Sequence, residues 1–202
     1  MIQKNKAYLK GIHVMTVCDV RSGKAQSLER AIEGCVKKRQ FLIDAGLATR
    51  EKLHELWTEY RFYVERLHRL FKTQEMVVEN VTTTIGRSVL AQRLSGDTTY
   101  TGTVNYTALG DDNTAPVVGD ATLGNEVYRK GLSSGTDSSN IAYLETFFTA
   151  SETSGTYEEY GMFIDGSGVA DSGQLFNRFT ATVVKSVTET LNVQSIITFN
   201  DA

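Results

Sequence analysis

The sequence predicts an α+β chain: an antiparallel β-sandwich that carries an inserted antiparallel helical hairpin. Three observations predict it. Residues 27–72 are dense in Leu, Glu, Arg and Lys, whereas from about residue 76 the chain turns rich in Thr, Ser, Gly, Val and Tyr. The dense segment repeats its apolar residues at helical spacing. The remainder breaks into short runs separated by turn dipeptides, the pattern of an antiparallel sandwich or barrel. With 202 residues, 41% of them hydrophobic, there is enough apolar material for one core with an appendage.

From the N-terminus, Ala7 to Val20 alternates in part and stops at Arg21-Ser22-Gly23-Lys24, which reads as a turn. A first helix is expected over about 27–44, with Leu28, Ala31, Ile32, Cys35 and Leu42 on one stripe, interrupted by Lys38 and Arg39. Ala45-Gly46 supplies the turn to the second helix. There Thr49 is a plausible N-cap, and Glu51 stands in the first turn, where the helix dipole favours an acid. With Leu53 at heptad position a, Leu53, Tyr60 and Leu67 share a, Leu56, Tyr63 and Leu70 share d, and Trp57, Val64 and Phe71 share e. Residues 50–72 would span roughly 35 Å at ~1.5 Å per residue. Two antiparallel helices bury one seam, and this face is wider than one seam. Trp57, Tyr60, Val64 and Phe71 are therefore assigned as interface residues, facing the rest of the chain or another subunit.

Met76-Val77-Val78 resumes a strand. Ile85 to Leu94 has helical spacing and a stop at Gly96. Strands are then expected over 103–109, 125–131, 140–150, 156–165, 174–185 and 189–199, with turns at Ser134-Gly135, Ser154-Gly155, Asp165-Gly166 and Ser172-Gly173. Excising 27–72 would leave 7–20 and 76–80 as a natural β-hairpin. The division expected is thus a sandwich domain, 1–26 and 73–202, with 27–72 inserted at a hairpin tip, where insertions cost least.

Charge follows the same division. The net charge is −3 and the pI about 5.7, which argues against a nucleic-acid binder. Residues 27–72 hold 10 of the 21 basic and seven of the 24 acidic residues, a net of +3, leaving −6 on the rest. Two surfaces with different surroundings are expected. No run approaches the length of a membrane span, and Met1 to Lys6 lacks the apolar core of a signal peptide. Maturation in a cytoplasm is the expectation, which assembled particles could later leave.

The segment Asn105-Tyr106-Thr107-Ala108-Leu109-Gly110-Asp111-Asp112-Asn113-Thr114-Ala115-Pro116-Val117-Val118-Gly119-Asp120-Ala121-Thr122-Leu123-Gly124-Asn125-Glu126-Val127 resembles a phrase found in virion proteins of tailed bacteriophages. A strand ends in a small residue and Gly, a loop follows with Thr-Ala-Pro and Gly-Asp, and Leu-Gly and an acid close it. Thr149-Ala150, Gly155 to Phe163 and Gly173 to Arg178 are similar to the same group in order and spacing. The likeness covers about 76–200 and the first strand. The helical insertion lies outside it, and Asp111-Asp112-Asn113 replaces the usual Gly/Thr-rich run. The resemblance implies a virion component more strongly than any one position in the particle; the expectation is a structural protein of the tail, baseplate or fibre-attachment region that assembles as a homo-oligomer with other virion proteins. Capsid decoration or vertex proteins and receptor- or carbohydrate-binding modules are its alternatives, the last with the region of Tyr100 and Tyr106 as a site.

Candidates for chemistry are few, and no cofactor, no metal, no catalytic residue and no nucleic-acid contact is expected. Cys18 and Cys35 lack CxxC spacing and read as buried small hydrophobes. Asp111-Asp112-Asn113, and Asp165-Gly166-Ser167-Gly168 with Asp171, offer oxygen ligands for calcium, but Phe176 stands at the twelfth position where an EF-hand needs Glu. Glu145, Glu158 and Glu159 could form a glycosidase carboxylate pair, although Glu158 and Glu159 would face opposite ways in a strand. His54 and His68 are two heptads apart and His13 is isolated. Gly131-Leu132-Ser133-Ser134-Gly135 matches GxSxG, yet a polar turn follows it and every His precedes it. Asn80 and Asn105 head glycosylation sequons that a cytoplasmic bacterial setting would leave unused. Lys37-Lys38-Arg39 reads as a solvated basic face or the mate of an acidic neighbour.

Overall fold

The computed structural model describes residues 8–200. Residues 1–7, which include the start of the expected first strand and the segment read for a signal peptide, lie outside the described residues. Strand β1 (Tyr8–Asp19) leads into helices α1 (Gly23–Asp44) and α2 (Arg50–Phe71), and β2 (Lys72–Glu79) returns directly from α2. After β3 (Val81–Thr82) and helix α3 (Thr84–Leu94) come β4 (Val104–Gly110), β5 (Glu126–Gly131), β6 (Ser134–Ser138), β7 (Ile141–Phe148), β8 (Gly155–Ile164), β9 (Gln174–Lys185) and β10 (Glu189–Asn200).

The strands form two antiparallel five-stranded sheets: sheet A in the order β2-β1-β10-β7-β6, and sheet B in the order β3-β9-β8-β4-β5. β1 pairs with β2, Met15 opposite Met76, so the helical pair does interrupt a hairpin. Between the sheets lies an apolar core built from Met15, Val17, Leu109, Phe148, Tyr157, Tyr160, Phe179, Leu191 and Val193. Alternation then dictates what the far face of sheet A carries. Cys18 and Phe147 point to the side opposite Val17 and Phe148, and there they meet Leu28, Ile32, Cys35, Leu56, Tyr60, Val64 and Leu67 of the two helices. The molecule is therefore three layers, with sheet A in the middle. α3 packs Val89 and Leu90 at one end of the sandwich, against Ile164, Phe176 and Ile197.

This arrangement answers what the wide face of α2 meets. Tyr60 and Val64, assigned to an interface, are 1% and 0% exposed against the chain's own sheet and cannot also face a neighbour. Phe71 packs at the border of the same cluster, and Trp57 lies outside it, 6.3 Å from Tyr143 ring to ring. Leu70, placed on the apolar face by the heptad reading, is 43% exposed instead. α1 starts four residues earlier than expected: Ser22 is its N-cap, its hydroxyl accepting from Ala25 N at 3.2 Å, so the supposed turn at Arg21–Lys24 is the cap and first turn. Ser134-Gly135, expected as a turn, opens strand β6. An edge strand pairs through its backbone alone and needs no apolar alternation, which is why polar Ser134 to Ser138 hid it. No helix among the described residues is long and apolar enough to cross a membrane.

Candidate functional site

Each sheet has a covered outer face, and each cover is fastened by a buried ion pair. Under the helices, Arg61 of α2 pairs with Glu145 of β7, whose side chain is 1% exposed. Arg61 also meets Glu65 at 3.0 Å. The Tyr60 hydroxyl donates to Asn192 Oδ1 at 3.3 Å, and the Ser133 hydroxyl accepts from Phe147 N at 2.9 Å. Burial raises the Glu145 pKa, with Arg61 opposing it, and burial raises Tyr60 well above the usual phenol range. For Arg61 burial works against the charge, but Glu145 and Glu65 outweigh it and hold its pKa above the ordinary value.

On sheet B the cover is the loop 111–125. Its Leu123 packs with Ala108, Phe163 and Leu175, and a Cβ at Gly161 would lie 2.8 Å from both Leu123 and Leu175, so a larger residue there would displace the ends of these leucines. Glu159, fully buried, accepts from Gly124 N at 2.9 Å and Asn125 N at 2.7 Å. Arg178 Nε donates to Glu159 at 2.8 Å and Arg178 Nη1 to Asp120 at 3.0 Å. Burial works against the Arg178 charge, yet these two partners hold its pKa above the ordinary value. A companion clamp holds the loop 165–173: Arg129 pairs with Glu126, lies 4.6 Å over the Phe163 ring and donates to Ser167 O and Ser172 O, each at 3.0 Å. Sequence reasoning missed Arg61, Asp120, Glu126, Arg129 and the role of Arg178. Most of their partners are distant in sequence, and although Glu126 and Arg129 stand three apart in β5, nothing local shows that this pair is buried or that it clamps the loop 165–173.

The candidates for chemistry are consumed by these networks or kept apart by them. Glu145 lies on the helix side of sheet A and Glu159 on the loop side of sheet B, so the sandwich separates them. Glu158 accepts from Thr182 at the surface, at 2.8 Å. A β-bulge between Tyr157 and Glu159 breaks the alternation here: Tyr157 and Tyr160, three apart, both join the core, and the expected opposition of Glu158 and Glu159 does not apply. Ser133 is 2% exposed, and its hydroxyl is engaged by Phe147 N. His13 does share a hydrogen bond with Ser195, but both are fully buried, His13 stacks on Phe179 at 3.8 Å, and burial lowers its pKa to about 3. His68 is lowered to about 4, first by burial.

The supposed calcium loop is filled by protein donors. Asp165 accepts from Thr101 N at 2.7 Å, and Asn105 exchanges two bonds of 2.8 Å with Gly166, so this sequon asparagine is a clamp. Asp112 is held low by Thr114, and Asp111 accepts from Asn125 at 2.6 Å. Among the described residues no cluster of His, Cys, Asp or Glu is placed to hold a metal. Cys18 and Cys35 are buried free thiols, pushed up by burial to about 12 and about 11. The basic run divides: Lys37 pairs with Glu33 at 3.5 Å in solvent, whereas Arg39 donates to Leu132 O at 3.1 Å. Tyr100 and Tyr106 pack against core clusters, and neither stands free as a platform for a sugar. An open cleft of about 500 Å³ beside α1, lined by Arg21, Gln26, Arg30, Glu33, Ser151 and Val187, mixes both signs of charge. No protein-family model matches the chain, and no curated protein or solved structure matches it either.

Proposed function

We propose that this chain is a non-enzymatic structural component of a tailed-phage virion, working by assembly in the tail, baseplate or fibre-attachment region. The observation that carries the reading is the clamp on sheet B. Three of the four stretches that resemble virion proteins, 105–127, 155–163 and 173–178, meet there through Asp120, Leu123, Gly124, Glu159, Gly161 and Arg178. Those residues fasten a loop to a sheet, so the shared phrase is architectural. Chemistry would need an acid, base or nucleophile open to a substrate. Here Glu145, Glu159, Ser133 and His13 are all buried and committed to structural partners. A sandwich with a helical pair packed on one face suits a subunit that meets others of its kind. The test is the purified particle. Mass spectrometry of density-purified virions is expected to find the chain in many copies, and gold-labelled antibody is expected to mark the tail. Labelling of the head would move the role to capsid decoration, and absence from the particle would overturn it. Purified protein is expected to release no reducing ends from host envelope polysaccharide.

A further inference from the structure

We propose that the sandwich binds ordered water in its interior, in a polar niche between the sheets made by His13, Asn80 and Asn177. The inference does not depend on the assembly reading above.

The register brings these three residues to one level of the core. His13 of β1 points between the sheets, where its ring stacks on Phe179 of β9 at 3.8 Å. Alternation sends Gly11 and Leu9 to the same inner face, and Leu9 joins the cluster of Phe176. On β9, Arg178 turns outward to Glu159, so Asn177 turns inward like Phe179, opposite Met162 of β8. Gly11 and Asn177 therefore face each other between the Leu9–Phe176 end and the His13–Phe179 stack. Asn80 enters from the side, at the crossing from β2 to β3. Its N–H donates to Gly11 O at 3.2 Å, and its amide takes the space of a side chain at Gly11, where a Cβ would lie 2.7 Å from Asn80 Nδ2. Glycine at position 11 is what admits this amide to the core.

Four polar atoms converge here with no protein partner among the described residues: His13 Nε2, Asn80 Nδ2, and both Nδ2 and Oδ1 of Asn177. His13 and Asn177 are fully buried. A polar atom that leaves water without a new bond costs free energy, so buried ones are nearly always bonded to protein or to ordered water. Exchanging the amide O and N of Asn177 changes nothing, because both are unpartnered. The His13 ring is held from its other side, where Nδ1 shares a hydrogen bond with Ser195.

The same atoms set the chemistry of the occupant. The two amide nitrogens donate, Asn177 Oδ1 accepts, and Nε2 does either, according to which way the bond between Nδ1 and Ser195 runs. An ion would find no counter-charge: Glu159 and Arg178 lie on the far side of sheet B, and burial keeps the His13 ring neutral, with its pKa lowered to about 3. A small neutral molecule that both donates and accepts is required. Water does so, making about three bonds in such sites. Asn80 is only half-buried, so the route in lies beside it.

Nuclear Overhauser spectra of the isotope-labelled full chain test this. The side-chain amide protons of Asn177 are expected to give direct cross-peaks to water, with the sign of water that tumbles with the protein. No such cross-peak would overturn the site. So would hydrogen-bond couplings from the Asn177 amide to His13 or Asn80, since the groups would then satisfy one another. Asn177→Leu, of similar shape, gives a second measurement. If water serves Asn177, the change leaves His13 Nε2 and Asn80 Nδ2 short of partners, and the melting temperature is expected to fall by roughly 3–8 °C. If nothing serves Asn177, the change relieves a buried unpaired amide, and a rise in melting temperature would overturn the proposal. The wild-type spectrum decides the matter even where the variant does not fold.

Discussion

Two covers lie on the two outer faces of the sandwich, and they are fastened in different ways. The loop 111–125 has little apolar substance and is held by convergent bonds on Glu159 and Arg178. The helical hairpin buries Leu28, Ile32, Leu56, Tyr60, Val64 and Leu67 and adds a buried ion pair, Arg61 with Glu145, and an exposed one, Arg50 with Asp137. A loop held by a few charged bonds is all-or-none, because losing one partner strands another in the interior. A helix held by area yields in proportion to the area removed.

The largest expected effect is on the loop. Arg178→Ala strands Glu159 and Asp120 and is expected to cost about 3–5 kcal/mol in urea unfolding. Amide exchange at Gly124 and Asn125 is expected to lose protection while the helices keep theirs. A loss spread equally over both covers would erase the distinction.

Next comes the apolar seam. Leu67 is fully buried, and Leu67→Ala is expected to cost about 2–5 kcal/mol by truncation and cavity. Loop protection is expected to stay at its wild-type level.

The ion pair under the helices separates charge from area. Arg61 is 21% exposed, so Arg61→Met is expected to cost less than the Arg178 change, about 2–3 kcal/mol at pH 7. Glu145, already raised by burial, then loses its counter-charge. Its penalty belongs to the ionised form, so the deficit is expected to shrink as pH falls and Glu145 takes a proton. Arg61→Met with Glu145→Leu is expected to return to within about 1 kcal/mol of wild type. A double variant as weak as the single one would mean that area alone does not hold the helices.

The smallest effect lies in the core shared by both sheets. His13 has a folded pKa of about 3, below its unfolded value, so folding favours the neutral ring. Its contribution is whole above the unfolded value and is lost as pH falls toward 3. At pH 5 the loss relative to pH 7 is expected to be about 2 kcal/mol, from an unfolded pKa near 6.5. His68 adds a loss of the same sign. Unfolding titrations of wild type and His13→Gln compare the two slopes, and identical slopes would remove His13 from the acid response.

The covers also differ in how far the sequence reveals them. α2 could be read from its heptads, because a 3.6-residue period and a Thr49 cap are local facts. That its wide face meets the chain's own sheet was one of two options the spacing allowed, and only the layer arrangement chose between them. The loop could be recognised as a phrase, but its bonds could not: Glu159 and Arg178 reach back to residues 35 and 58 positions away. β6 was invisible because edge pairing leaves no apolar pattern, and the bulge at Tyr157–Glu159 was invisible because one extra residue in a register is set by the partner strand.

By itself, then, the sequence determined the class, the order of the helices and the longer strands, and the site of insertion, since these follow from local periodicity, caps and turn residues. It also determined the charge asymmetry between the helical pair and the rest. Tertiary structure alone decided which charges pair in the interior and that Glu145 and Glu159 stand on opposite outer faces of the sandwich. The physical reason is that buried pairing and coverage depend on contacts between residues far apart in the chain, and no local pattern records the distance that folding removes.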